Sequence, residues 1–497
     1  MNRSDKKELK KASIEVKFSD YVDAHERVKT LVKKYPQNDE VKYVLAICRL
    51  HQKDNERYAL DLLSEISNTK IDPNFYYYLG LAQQWNSQFE NAINSLQTVL
   101  INPKRTVEDI DVLDALNRAY KSKELINVSR KVVIQNFGKL VNSEHQESVP
   151  VMTPDHSGLF YTARKPNNIN SDKDHLGHYF QDIYFAKLKD GTPTESKNLT
   201  KINSKYHDAS VSISADGNTF IFFKTNELNV NTGDLYTSTI GKEGAISEIK
   251  KLSDEINSSY VEPSACLSPD GNTLYFSSNR PGGYGGFDLY KSKKLPNGEW
   301  GKITNLGASI NTKKNEDGPF MHADGKTLYF SSNGHLGLGG FDIFSSKLKN
   351  DIYWSIPENI GSPINTIDHD MYFTLSPDSR EGYLSSNREG GFGSDDLYKV
   401  IMMDHKSYNK VIKGIVLSEM EKQPILSKIT VISEQDKNLN GIYRTNANSG
   451  KFIMVVKPLE TYQIIIESKG YEVKFISLTS DELMDMDLEI VLKPKAK

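Results

Sequence analysis

The sequence predicts a multidomain chain, α first and then all-β: a helical repeat array, a five-bladed β-propeller and a small antiparallel β-sandwich in series. Three periodicities predict it. Residues 1–138 place small and apolar side chains at a 34-residue spacing. Residues 139–403 repeat a set of turn markers about every 54 residues, and residues 408–495 alternate apolar and polar positions in short runs. A chain of 497 residues is long enough for several cores rather than one.

The helical reading runs over residues 14–138. Leu45, Leu79 and Leu113 share the 34-residue spacing, as do Ala46 and Gly80, and Ala24 and Ala92 lie two periods apart. Small residues such as Gly80 and Ala92 let the two helices of a hairpin approach, while Tyr76 and Leu79 fill the groove between hairpins. Pro36 and Pro103 end second helices. The basic opening MNRSDKKELKK reads as a solvated, flexible arm.

Three markers define the second segment. Asp155, Asp216, Asp270, Asp324 and Asp378 stand at tight turns, several followed by glycine as a hairpin requires. Thirteen residues before each stands Asn142, Asn203, Asn257, Asn311 or Asn365, followed by Ser or Thr. An Asp-[Ile/Leu]-[Tyr/Phe] tripeptide begins at Asp182, Asp234, Asp288, Asp342 and Asp396. Five units in one phase, each of four short strands, make five blades, and radial closure protects their edges. In the third segment IKGIVL, KITVIS, KFIMVV, YQIIIES and EVKFISL read as strands of the sandwich.

Composition narrows the function. The formal net charge of −3 lacks the basic excess of a nucleic-acid-binding domain. The two cysteines, Cys48 and Cys266, sit in apolar contexts and read as buried and unpaired. No run reaches the length of a membrane-spanning helix, and the opening lacks the apolar core of a signal peptide.

Tyr76, Leu79, Gly80, Ala92 and Leu96 fall on the phase of the tetratricopeptide repeat, which the first segment resembles. SPDGNTLYFSSNRPGGYGGFDLYKS resembles the TolB-type propeller repeat, and KGIVLSEMEKQPILSKITVI with SKGYEV is similar to the carboxypeptidase regulatory-like domain. In this order the three resemble Bacteroidota envelope proteins that end in an OmpA-like domain, among them the PorE-type component of the type IX secretion system. The resemblance implies a periplasmic, outer-membrane-associated protein, of a kind often opened by a lipidated cysteine, that binds protein partners of an envelope or secretion assembly. The family's peptidoglycan-binding OmpA-like domain has no counterpart before Lys497. Either this sequence is a piece of a longer chain or this member lacks the domain, and peptidoglycan is expected as a partner only if it follows.

The candidate site is a ring of carboxylates: Glu147, Asp208, Glu262, Glu316 and Asp370, each five residues after a repeat asparagine. At the start of each first strand they would ring one mouth of the channel. There they either hold a cation or a basic side chain, or accept hydrogen bonds that fasten the blades. The tripeptide and turn aspartates lack the dense spacing of a calcium loop and read as turn hydrogen-bonders. The glycine runs at 282–286 and 337–340 enter strands without a following Lys-Ser/Thr, so they read as wide hairpin loops rather than phosphate loops. His175 and His178, with Asp172 and Asp174, either ligate a metal weakly or form a solvated loop in the lengthened first blade.

No Gly-x-Ser-x-Gly elbow or His-Glu-x-x-His occurs, so no catalytic residue, cofactor or metal ligand is expected. The function expected is a non-catalytic scaffold or adaptor that uses the helical groove and the first-blade insertion as contact points. The rival expectation is a sensor that binds peptide or glycan in the propeller channel.

Overall fold

A computed structural model describes residues 1–52, 56–174, 177–226, 229–241, 244–350, 352–403, 410–435, 437, 439–447, 449–480 and 488–495. The chain divides into two compact units. One holds Met1–Ser129 with Leu336–Gly340 and Asn365–His369; the other holds Arg130–His335, Phe341–Ile364 and Asp370–Lys497.

The first unit contains the helices α1 (Arg3–Lys17), α2 (Tyr21–Lys34), α3 (Asp39–Leu50), α4 (Ala59–Ser64), α5 (Phe75–Gln84), α6 (Phe89–Leu100) and α7 (Asp109–Ile126). Asn2, Asp20 and Asn38 cap the first three, each side chain accepting the N–H three residues on. The α5–α6 hairpin closes at its small residues: a Cβ on Gly80 would meet Leu96 Cγ at 2.7 Å and the Ala92 carbonyl at 3.3 Å. Within the same unit the Arg57 guanidinium grips the Asp368 carboxylate, Nε donating at 2.8 Å.

The opening run is not a free arm. It forms α1, which buries Leu9 and Ala12, and Tyr35 donates to Asp5 at 2.8 Å. Two apolar residues three apart are too sparse a signal to announce an amphipathic helix among so many lysines.

The second unit is built of sheets. After β1 (Val132–Asn136) the first sheet holds β2 (Gln146–Met152), β3 (Gly158–Arg164), β4 (Asp182–Lys189) and β5 (Thr192–Asn198). The second holds β6 (Asp208–Ile213), β7 (Thr219–Asn226), β8 (Asn229–Ile240) and β9 (Ile246–Lys251). The third holds β10 (Ala265–Leu267), β11 (Thr273–Ser278), β12 (Asp288–Lys293) and β13 (Thr304–Asn305). The fourth holds β14 (Glu316–Met321), β15 (Thr327–Ser332), β16 (Asp342–Lys349), β17 (Tyr353–Trp354) and β18 (Glu358–Asn359). The fifth holds β19 (Asp370–Leu375), β20 (Glu381–Ser386) and β21 (Asp396–Met402), with β1 as its fourth strand.

The leading strands touch in the order β2, β6, β10, β14, β19 and back to β2. Aromatic side chains such as Phe160, Phe185, Phe220 and Phe222 fill the space between neighbouring sheets. β1 pairs antiparallel with β21, from Val132 opposite Met402 to Asn136 opposite Tyr398. The expected domain boundary after residue 138 therefore falls too late. A strand that pairs only with residues about 260 positions away carries no local hairpin signal.

The last part has two sheets, β25 (Lys451–Val456), β22 (Lys410–Ser418) and β28 (Leu488–Leu492) in one, and β24 (Leu439–Arg444), β23 (Lys428–Ser433), β26 (Thr461–Glu467) and β27 (Lys474–Thr479) in the other. Their shared core includes Ile429, Val431, Tyr443, Phe452 and Ile464. The sandwich is not wholly antiparallel, because β22 and β28 run parallel, Gly414 opposite Leu488. β24 and β28 were not expected, since each is short and only partly buried.

Candidate functional site

The repeat markers meet in space. The carboxamide of Asn203 accepts from the Ile183 N–H at 2.9 Å and donates to the Ile183 carbonyl at 2.9 Å. Asn257 does the same to Leu235, Asn311 to Leu289, and Asn142 to Leu397. Each of these four asparagines thus satisfies the middle residue of the tripeptide in the preceding sheet. The tripeptide aspartates close the loops before them: Asp288 accepts from the Tyr284 and Gly285 N–H groups, and Asp396 from those of Phe392 and Gly393. The glycine loops pack on the next sheet, as a Cβ on Gly285 would lie 2.1 Å from the Lys314 carbonyl oxygen. The turn aspartates serve their turns; Ser214, Ser268 and Ser376 donate to Asp216, Asp270 and Asp378 at 2.5–2.6 Å.

All five predicted carboxylates lie at or just before the start of a leading strand, and all are 0% exposed. Their partners are internal. Glu147 accepts from the Ser143 N–H at 2.8 Å and hydroxyl at 2.6 Å, with Lys165 Nζ at 3.3 Å. Asp208 binds Ser204 and Lys224, the latter at 2.7 Å. Glu262 takes Ser258, Ser278 and Arg280; Glu316 takes Thr312 and Ser332; Asp370 takes Arg388 at 2.6 Å. Burial pushes the carboxyls of Glu147, Asp208 and Glu316 above the usual range. The backbone N–H of Glu147, Asp208, Glu316 and Asp370 reaches back to a carbonyl of the preceding sheet at 2.8 Å. So the side chains tie each strand to its own sheet and entry turn, while the backbone joins neighbouring sheets.

Sequence reasoning expected a channel at the centre of the ring but named none of the side chains that line it. There the leading strands surround a cavity of about 120 Å³. Its walls include Val151, Val211, Leu267 and Phe373, and Tyr443 and Ile453 of the sandwich also line it. Arg444 donates to Asn272 at 2.7 Å and Asn446 to the Asp216 carbonyl at 3.1 Å, fixing the sandwich against the turns that follow the leading strands.

Four of those strands shift register beside the cavity, at Ser148/Val151, Ser210/Ser212, Asp317/Phe320 and Met371/Thr374. At three of these shifts one residue has positive φ: Val149 (52°), Gly318 (59°) and Tyr372 (56°). Beside them Asp317 is buried, accepting from Ser264, the Gly318 N–H at 2.8 Å and Tyr372 Oη at 3.2 Å, and burial raises its carboxyl above the usual range. Only the lone glycine in NEDGPFM signals any of this in the sequence.

His175 lies outside the described residues; Asp174 accepts from Arg164 at 3.1 Å and from the His178 N–H at 3.0 Å. Among the described residues no group of three or more His, Cys, Asp or Glu is placed to hold a metal ion. Among them, too, no helix is long and apolar enough to cross a membrane.

No protein-family model matches the chain, and no curated protein matches it. Solved structures similar to it include an α-L-arabinofuranosidase from Lactobacillus brevis (10% identity, 52% of this chain and 91% of that one, TM-score 0.36). An endo-arabinase from Bacteroides thetaiotaomicron VPI-5482 is 13% identical over 55% of this chain and 99% of that one, with TM-score 0.37. A glycoside hydrolase is 7% identical over 56% and 94%, with TM-score 0.39. These are named as enzymes, and the expectation that this chain is not one is corrected accordingly. Missing elbow and zinc motifs exclude only the classes that use them, whereas residues gathered from separate strands leave no linear motif. With TM-scores below 0.4, the likeness assigns neither a reaction nor catalytic residues.

Proposed function

We propose that the chain is a scaffold of a bacterial envelope assembly, in which a tetratricopeptide-type helical array binds protein partners and a five-bladed propeller with its sandwich gives the assembly a rigid body. Support for the propeller count comes from the five sheets, the cyclic contact of their leading strands and the closing strand β1. The observation that carries the binding role is the outer face of α7. Ile110 is 68% exposed, and Leu113 and Tyr120 on the same face are exposed with it. Leu113 stands one repeat period after Leu79, which is partly buried against the apolar core of the array. Repeat arrays normally end on a polar face, so apolar side chains there serve a contact.

The domain order and the family resemblance support the envelope setting, with type IX secretion or gliding machinery as the class of assembly. The test is capture from envelope extracts with the intact chain as bait. A discrete set of envelope proteins, displaced by excess free chain and lost with Ile110→Asp, is expected. Recovery of nothing above bare resin overturns the reading.

A further inference from the structure

We propose that the cavity at the centre of the ring binds a small amphipathic molecule of the phenol class: one apolar ring bearing one hydroxyl. This goes beyond the scaffold reading and does not depend on it. Size sets the first limit. Cavities of about 150 Å³ lined by aliphatic and aromatic side chains hold one benzene ring. At about 120 Å³ this one suits a single ring and excludes an oligosaccharide or a folded peptide segment.

The walls set the second limit. Val151, Val211, Leu267 and Phe373 offer dispersion contacts and no hydrogen bonds, so most of the ligand surface must be apolar. Cys266 also lines the cavity, and burial pushes its thiol up to about 12, so it adds no charge near neutrality. Asp317, the buried acid next to the lining residue Gly318, is already bonded to Ser264, Gly318 and Tyr372, which argues against a cationic ligand.

The third observation points to a hydroxyl. Ser212 and Thr374 line the cavity, and the hydroxyl oxygens of both are buried without a protein partner. Ser212 is 9% exposed. A buried hydroxyl left unpaired is costly, and each can both donate and accept. A ligand hydroxyl satisfies such groups where a hydrocarbon does not. The left-handed Val149 adds weight, because a β-branched residue at positive φ is strained, and such strain collects at ligand sites.

Phenol and benzene, alike in shape and different by the hydroxyl, form the test. Each is titrated into the full chain by saturation-transfer NMR, with glucose as control. Saturable phenol binding tighter than that of benzene is expected. Ser212→Ala should weaken phenol about 5-fold, the worth of one neutral hydrogen bond, and leave benzene unchanged. Val211→Phe, which fills the space, should abolish both. No saturable phenol binding up to its solubility overturns the proposal, as does binding that survives Ser212→Ala and Val211→Phe unchanged. Because Ser212→Ala removes one oxygen, it keeps the test decisive should the larger side chain prevent folding.

Discussion

The carboxamide of Asn142 accepts from the Leu397 N–H at 2.8 Å and donates to the Leu397 carbonyl at 3.0 Å, joining the first sheet to the last across 255 residues. Its Nδ2 also reaches Asn136 Oδ1 at 2.8 Å, on the strand β1 that completes the fifth sheet. One side chain therefore holds both ends of the ring. Asn142→Ala leaves the buried Leu397 N–H unpaired, while the Leu397 carbonyl keeps the Phe137 N–H at 3.2 Å, and should cost about 1–3 kcal/mol. Asn142→Asp should cost more, because a carboxylate would face the Leu397 carbonyl oxygen without a donor to offer. Urea unfolding followed by tryptophan fluorescence measures both; a midpoint equal to that of the parent chain would refute the closure role.

The pairing of Asn142 with Leu397 also explains what the sequence discloses. Both are repeat markers, so the five-unit periodicity was legible, although the period alone does not say that one marker binds the other. Strand β1 was not legible, since Val132–Asn136 has its partner at the far end of the ring. A central channel was expected, but the lining that narrows it to a small cavity was not legible. It arises from five strands meeting, and the residues that shape it, Val149 and Tyr372, adopt conformations their side chains disfavour. The carboxylates were found by their phase, but only coordinates show that Lys165, Lys224, Arg280 and Arg388 reach them from the second strands of their sheets or the residues just beyond.

The glycine loops make a graded prediction. Gly282 and Gly285 lie three residues apart in one loop, Gly282 with φ of 88° and open space around it. Gly282→Ala should cost about 1–2 kcal/mol from backbone conformation alone. Gly285 has no left-handed φ, but Gly285→Ala must displace the Lys314 and Thr312 carbonyls, which a Cβ would meet at 2.1 and 2.6 Å, and should cost distinctly more. Thermal melts of the two variants decide it, and equal losses would show that the loop does not pack as described.

Acid should act on this chain through two opposed sets of carboxyls. Glu381 is held near 2 by the His156 ring 3.6 Å away, aided by Lys399 and Tyr383. Its folded value lies below its ordinary 4.5, so its contribution is whole above pH 4.5 and is lost as pH falls toward 2. Glu147, Asp208 and Glu316 are raised by burial, so their ionisation opposes folding as pH rises above the ordinary carboxyl range. Glu381→Gln should therefore be less stable than the parent at neutral pH and flatter between pH 4.5 and 2. Equal slopes in that window, read from urea midpoints, would contradict the assignment.

The cysteines predict a kinetic signature. Cys48 is 0% and Cys266 is 3% exposed, and burial raises both thiols to about 12. Thiolate is the reactive form, and neither group has the access or the ionised fraction to react while folded. In native buffer a chromogenic disulfide reagent should therefore titrate neither thiol, and in denaturant it should titrate both at once. The two sit in different compact units, so partial denaturation offers a separation. If the units open independently, Cys48 and Cys266 will become reactive at different urea concentrations, each with the transition of its own unit. Rapid labelling of Cys266 in the absence of denaturant would mean that the leading strands open locally at the cavity wall, and mass spectrometry of the labelled peptides distinguishes these outcomes.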